Sequence, residues 1–349
     1  MHVGWIEPTL TNASIRRRQD DHANTRPGVH GVPSLHSCPA LVGQCLGTFH
    51  EIHRTELSLL PSLSPESRED AMKSSGLTIT VLAENTAQGM ELLGEHGLSL
   101  WIETPETCGL FDTGQGLALP HNAERLGVDL DCADAIIVSH GHYDHTSGLP
   151  HVLSRAPLAR LFLHPSALVS RFSRREGASR EIGMPQHVRD AVNERQTSTT
   201  WTREPTEIAA DIFATGPIPR QSDFEDTGGP FFRDADGKTP DPIEDDQAMW
   251  VETPAGVVVL LGCAHSGVIN TLDYIRELTR RKPVRAIVGG MHLGSASEER
   301  VTRTIESLSQ RNIEGMWPCH CSGVAATAQL LVAVGARCHP CSVGTRIEF

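Results

Sequence analysis

His140-Gly141-His142-Tyr143-Asp144-His145 is the stretch that decides how this chain folds. Three histidines and a carboxylate fall within six residues, directly after the apolar run Ala135-Ile136-Ile137-Val138. Such a run predicts a buried strand. The ionisable residues then occupy the loop at its carboxyl end, where α/β sheets carry their chemistry. Neutral imidazole and carboxylate are donors that borderline divalent metals accept, zinc foremost. His140 and His142 are two apart in an extended segment, so their side chains point the same way and can share one ion. Asp144 and His145 fall where the chain is expected to turn into a helix and can serve a second. Four donors in six positions argue against a merely solvated polar loop.

Outward from this loop the punctuation is that of a two-sheet α/β protein. Strands are predicted at Leu77–Leu82, Gly97–Ile102, Cys108–Phe111, Arg160–Leu163 and Asp211–Ala214, with a helix near His121–Leu126. Ala248–Val251 and Val257–Leu261 read as a hairpin. Helices over 270–281 and 298–311 then alternate with strands at 284–288, Ile313–Trp317 and Thr345–Phe349. Residues 171–205 read as polar, basic and helix-compatible, and 219–247 as an acidic loop. No short internal repeat is evident. Residues 1–73 are rich in Pro, Ser, His and Arg and carry no sustained period. They are expected to be a disordered extension of a folded domain over 74–349, unless the natural chain starts at Met72.

Composition narrows the function. The net charge of -13 and the lack of a basic stripe argue against nucleic acid as the main partner. No stretch approaches the ~20 apolar residues of a membrane span, and no long apolar leader opens the chain. Nine cysteines, an odd number scattered through a long sequence, do not read as a disulfide framework. Reduced thiols and a cytoplasmic location are expected. Cys319, Cys321, Cys338 and Cys341 could form a separate zinc site, but packing roles around His320 are the favoured reading. Arg220, in the Ile218-Pro219-Arg220 turn, is a candidate anion contact through its planar fork, weighed against an ordinary surface arginine.

His-x-His-x-Asp-His, continued by Thr146-Ser147-Gly148-Leu149, resembles the signature of the metallo-β-lactamase superfamily. The resemblance extends over roughly residues 76–349. It implies an αββα sandwich with a one- or two-metal site at one edge of the paired sheets. In that superfamily the strand matching Val257–Leu261 usually ends in Gly-Asp, whose aspartate bridges the metals. Here Cys263 stands in that place, in Gly262-Cys263-Ala264-His265-Ser266-Gly267. The upstream turn that usually brings a histidine reads Thr215-Gly216-Pro217-Ile218-Pro219-Arg220 and has none. His265 is therefore expected to supply the missing imidazole, with Cys263 as the alternative ligand and a helix cap as the competing role for His265. The resemblance assigns His320, in Pro318-Cys319-His320-Cys321, to the second metal. It gives Asp112, in Phe111-Asp112-Thr113-Gly114, the task of orienting ligands by hydrogen bonding, with a plain Asx-turn as the competing role. His292, in Gly289-Gly290-Met291-His292, follows another strand and faces the same edge; a ligand, a proton donor and a substrate contact are all open to it, with the substrate side favoured.

Those glycine-, cysteine- and histidine-rich turns, together with Asp246-Gln247-Ala248, are similar to the 7,8-dihydropterin synthase-like branch associated with methanopterin biosynthesis. That branch joins a pterin diphosphate to an aminobenzene ribofuranosyl phosphate with loss of diphosphate. The expected function is hydrolysis of a small, anionic ester, thioester, lactone or phosphoester. A pair of divalent ions, zinc first and iron or manganese as alternatives, would lower the pKa of water from ~15.7 towards ~7. Asp144 would orient that water and could accept its proton. The alternatives are a transferase that displaces diphosphate and a non-hydrolytic, iron-binding redox protein.

Overall fold

The computed structural model describes residues 76–349. The expected N-terminal extension lies outside them. The first sheet contains β1 (Thr78–Ala83), β2 (Ser99–Glu103), β3 (Cys108–Phe111), β4 (Ala135–Ile137), β5 (Arg160–Leu163), β8 (Thr199–Trp201) and β16 (Arg346–Glu348), in the order β16-β1-β2-β3-β4-β5-β8. The second contains β9 (Thr206–Ala209), β10 (Ile212–Ala214), β12 (Met249–Thr253), β13 (Gly256–Leu261), β14 (Val284–Gly290) and β15 (Gly315–Cys319), in the order β15-β14-β13-β12-β10-β9. A small third sheet joins β6 (Phe172–Arg175), β7 (Ala178–Glu181) and β11 (Phe231–Phe232).

Period-two alternation sorts each central strand between two cores. In β13, Val258 and Leu260 face the first sheet, packing with Ile79, Leu100, Ile137 and Phe162. Val257, Val259 and Leu261 face the opposite way, onto Leu272 and Ile275 of helix Val268–Leu278 and Ile305 of helix Glu298–Gln310. In the first sheet Ile137 joins the inter-sheet core, while Ile136 and Val138 pack under Leu119, Leu149 and Val188. Strands buried on both faces read as continuous apolar runs, as Gly256–Leu261 does. The architecture is an αββα sandwich.

Most predicted elements fall within a few residues of their expected bounds. The reading of 171–205 as helix-compatible needs correction. Only Gln186–Glu194 is an α-helix there. β6 and β7 form an antiparallel hairpin, and β8 extends the first sheet. The hairpin loop is Glu176-Gly177, with φ of 51° and 83°. Two central residues at positive φ match the right-handed twist of the flanking strands, and the glycine makes that conformation accessible. Helix Val324–Val334 had no sequence signal, because its residues are apolar all round and show no contrast at a 3.6-residue period.

Candidate metal centre

β3 and β4 are parallel, as are β13, β14 and β15. Parallel strands end on the same side, so the residues that follow them meet at one sheet edge. Asp112 follows β3, His140 and His142 follow β4, Cys263 and His265 follow β13, His292 follows β14, and His320 follows β15. His140, His145 and His265 are fully buried, and Asp144 and His320 nearly so. The structure thus gathers every histidine that the sequence nominated into one cluster.

His140, Cys263 and His265 offer donor atoms within 4.8 Å of one another, and so do His145, Cys263 and His320. His142 belongs with the first group: its Nδ1 lies 2.9 Å from His140 Nε2, and its ring centroid 5.0 Å from that of His265. Asp144 belongs with the second, its Oδ2 3.5 Å from His320 Nε2. Cys263 stands in both groups, its Sγ 3.2 Å from His145 Nε2. The division of the motif into His140/His142 and Asp144/His145 therefore persists in three dimensions, with the thiol between the two halves.

Backbone and carboxylate acceptors fix the ring tautomers. Asp112 Oδ2 lies 2.7 Å from His145 Nδ1 and accepts its hydrogen, so Nε2 is the nitrogen turned towards the cluster. The same carboxylate accepts from Ser139 N and from Ser139 Oγ, both at 2.7 Å. That hydroxyl in turn accepts from His140 Nδ1 at 2.9 Å. The Thr227 carbonyl can only accept, so His265 Nδ1, 2.8 Å away, carries the hydrogen. Asn85 Oδ1 fixes His320 Nδ1 at 3.0 Å, and Glu84 Oε1 accepts from His320 N at 2.8 Å. Partners of this kind are what hold ligating histidines in place.

Charge follows burial. Desolvation holds His142 down at about 3 and His320 at about 4, so both rings are neutral. His140 and His265 are pushed well below 6.5, first by burial and then by neighbouring histidines. Burial also works against a charge on His145, but Asp112 and Asp144 overcome it and raise that ring to about 9. Burial disfavours ionised Asp144 as well, yet His145 and the hydrogen bond from His96 hold it below the usual carboxylate range.

The donor set suits divalent metal. Nε2 of His142 and Nε2 of His265 are buried with no hydrogen-bond partner, and unpaired buried nitrogens are costly unless something ligates them. His140, His142 and His265 would hold one ion and Asp144, His145 and His320 a second, with the Cys263 thiolate available to either. Thiolate and imidazole donors favour zinc or iron over manganese.

Arg220 and His292 take different places around the cavity. Arg220 donates to the carbonyls of His265 and Pro242, each at 2.7 Å, so its fork holds the ligand loop and does not line the cavity. His292 lies on the cavity wall but also meets Cys263 and Cys321 within 4.8 Å. Among the described residues, no three of Cys319, Cys321, Cys338 and Cys341 form a metal-sized cluster. Residues that the sequence did not flag include His96, whose Nε2 is 3.2 Å from Asp144 Oδ2. Asp245 is another, accepting from Gly141 N at 2.8 Å while buried Arg171 donates to it at 2.9 Å. Nothing in the spacing of Glu95-His96-Gly97 marks it. Cys321 was legible as the neighbour of His320.

Above the donors opens a cavity of about 570 Å³. Its floor includes His142, Asp144, Cys263, His265 and His320. Ile182 and Phe231 give it an apolar wall, and Arg175 and Arg180 of the β6–β7 hairpin stand on its rim. Arg180 donates to the Tyr143 hydroxyl at 3.2 Å, which ties the hairpin to the metal loop.

Residues 93–290, more than half of the chain, match the metallo-beta-lactamase superfamily, and the chain belongs to it. Among solved structures it is similar to Tm1679, described as a metal-dependent hydrolase of the beta-lactamase superfamily. The identity is 29%, the TM-score 0.65, and the match covers 78% of this chain and 99% of that one. It is also 26% identical over 266 residues to the 7,8-dihydropterin-6-methyl-4-(beta-D-ribofuranosyl)-aminobenzene-5'-phosphate synthase of Methanocaldococcus jannaschii, covering 73% of this chain and 90% of the synthase. An uncharacterized protein of the same organism is 27% identical over 253 residues, 72% of this chain and 93% of the relative.

Proposed function

We propose that the protein is a metal-dependent hydrolase of a small phosphate-bearing ester, with two divalent ions, zinc foremost, held between the motif loop and the ends of β13 and β15. The observation that carries this reading is the arrangement of the cavity: unpaired imidazoles on the floor and Arg175 and Arg180 on the rim. Ions bound there would polarise a phosphoryl oxygen and acidify a water molecule.

The chain's own residues do the rest. Asp144, held ionised, orients the attacking water and accepts its proton at Oδ2. His96 Nε2 lies 3.2 Å from that oxygen, with its side chain 56% exposed, and its hydrogen bond helps to hold Asp144 ionised. Arg175 and Arg180 bind the phosphate through charge-assisted hydrogen bonds. Phe231 and Ile182 pack the organic part of the substrate and exclude water. A cavity of this size suits a small molecule rather than a polymer.

A second reading, transfer with departure of diphosphate, is favoured by the similarity to the archaeal synthase. The two separate in one experiment. Zinc- or manganese-loaded protein is incubated in ¹⁸O-water with phosphomonoesters, phosphodiesters and organic diphosphates. Hydrolysis places ¹⁸O in one of the products. Transfer yields product only when a second organic acceptor is present, and without label. Turnover of lactones or thioesters with none of the phosphorylated compounds would overturn the assignment of substrate class.

A further inference from the structure

A third donor set remains beside the two that make up the proposed centre. Cys263, His292 and Cys321 offer donor atoms within 4.8 Å of one another. All three line the cavity, next to Gly294, Ser295 and Gly323. We propose that they form a third cation position, contiguous with the proposed metal pair and selective for a thiophilic ion such as zinc. It rests on the two-ion reading only in that Cys263 is shared.

The ring of His292 is prepared as a ligand is. Its Nε2 faces the Gly228 carbonyl at 3.2 Å, and a carbonyl can only accept, so the hydrogen is on Nε2. Nδ1 therefore keeps its lone pair, and this atom is buried without a hydrogen-bond partner. A carbonyl on one nitrogen and an unpaired lone pair on the other is the pattern that outer partners impose on metal-bound histidine. The backbone at His292 has φ of 46°, a left-handed conformation uncommon for a residue with a side chain. Conformations of that kind persist where surrounding structure requires them, and they concentrate at functional sites.

The thiols are placed as well. The His292 backbone N–H donates to Cys321 Sγ at 3.3 Å, and Cys321 Sγ lies 3.7 Å from the Cys263 carbonyl. Gly290 at the end of β14 leaves room for this approach, since a Cβ there would lie 2.6 Å from Cys321 Sγ. Two sulfurs and one imidazole are a donor set that zinc takes in catalytic sites, with the fourth position open. All three residues line the cavity, so a fourth ligand would come from it. Two thiolates and the Asp144 carboxylate bring three negative charges to the cluster, which offsets the repulsion between neighbouring cations. Soft sulfur donors would discriminate against magnesium and manganese at this position.

Metal stoichiometry tests the proposal without reference to turnover. The full chain is purified under reducing conditions without chelator and equilibrated with zinc. Bound zinc per chain is then measured by elemental mass spectrometry. Cadmium titration, followed by the sulfur-to-cadmium charge-transfer absorbance, reports thiolate ligation directly. The wild type is expected to take up three equivalents, and Cys321→Ser and His292→Ala two each, with about half of the charge-transfer band lost in Cys321→Ser. His142→Ala should lose a different equivalent and keep the Cys321-dependent band.

A wild type that saturates at two equivalents, both sensitive to His142→Ala or His320→Ala and neither to Cys321→Ser, would overturn the third position and leave the proposed function standing. A single equivalent that depends on Cys321 and His292 alone would overturn the two-ion reading instead. Thiol counting on denatured protein covers the remaining outcome: two thiols missing in wild type, restored by reductant, would mean that Cys263 and Cys321 form a disulfide and hold no ion.

Discussion

Asp112→Asn should separate metal affinity from fold stability more cleanly than replacement of any ligand. One carboxylate orients a histidine in each proposed ligand set: His145 directly, and His140 through the Ser139 hydroxyl. In the asparagine variant the amide oxygen can still accept from Ser139 N. The amide NH₂ then faces two groups that were donors, the Ser139 hydroxyl and His145 Nδ1–H. The cheapest relief is a change of tautomer at His145, which moves the hydrogen to Nε2 and removes the lone pair that points at Cys263 and His320. Loss of such an orienting partner costs about 10- to 100-fold in metal affinity, or about 1.4–2.7 kcal/mol.

The fold should suffer less. Asp112 has φ of 60°, a region that asparagine enters as readily as aspartate, so no new backbone strain arises. One mispaired buried group costs about 1–3 kcal/mol, which for a domain of this size is a fall of about 2–5 °C in melting temperature. Competition against a chromogenic chelator measures the affinity, and thermal melts of chelator-stripped protein measure the fold separately. Wild-type affinity in a variant whose stripped form melts several degrees early would refute the argument, because Asp112 would then be a packing group with no hold on the ligand tautomers.

Three other perturbations test neighbouring steps. His265→Ala and Cys263→Ser should each reduce bound metal, with the thiol variant losing at least as much, since Cys263 touches both donor groups; unchanged zinc content in Cys263→Ser would remove it from the ligand set. Arg175→Ala and Arg180→Ala should raise KM for phosphorylated substrates by roughly 10-fold each, about the loss of one charge-assisted hydrogen bond, with bound metal unchanged. Equal KM values for wild type and both variants would sink the anion-binding role. Metal-free protein should be most stable near pH 6.5. Below it, His142 and His320, held at about 3 and 4, resist protons that the unfolded chain takes up, so stability falls with pH; above it, His145, raised to about 9, loses the proton that stabilised it. Melting temperatures that climb steadily from pH 5 to 9.5 would contradict this.

The legible part of this protein was what short-range pattern controls. Ala135–Val138 followed by the histidine motif fixed both a buried strand and the identity of its loop, because period and donor chemistry act within ten residues. Val257–Leu261 did the same for the loop carrying Cys263 and His265. What was hidden depends on contacts distant in sequence. His96 lies 48 residues from Asp144 and 224 from His320, and only the sheet order β1-β2-β3-β4 brings it over them. The β6–β7 hairpin was obscured by local composition: arginine and serine on a half-buried and an exposed strand carry no apolar alternation to betray a period of two.

Cys263 in place of a bridging aspartate is a departure visible in the sequence, which offers both Cys263 and His265 for ligation. The strand geometry gives each of them its own direction. Ala264, between them, has φ of 53°, so the chain bends after β13 instead of continuing extended. Residues two apart in an extended strand would project their side chains in parallel. The bend instead lets Cys263 reach His145 while the ring of His265 sits 4.8 Å from that of His140. One loop therefore presents the Cys263 thiol at the centre of the cluster and the His265 ring on its His140 side, and under the proposed function Cys263 would serve the central position as a thiolate. Sulfur there would soften the whole centre. The expected consequence is a metal preference that moves from manganese towards zinc or iron, and Cys263→Asp should move it back. Competition between zinc and manganese for the stripped wild type and for Cys263→Asp measures that shift, and an unchanged preference would show that the thiol has no part in choosing the metal.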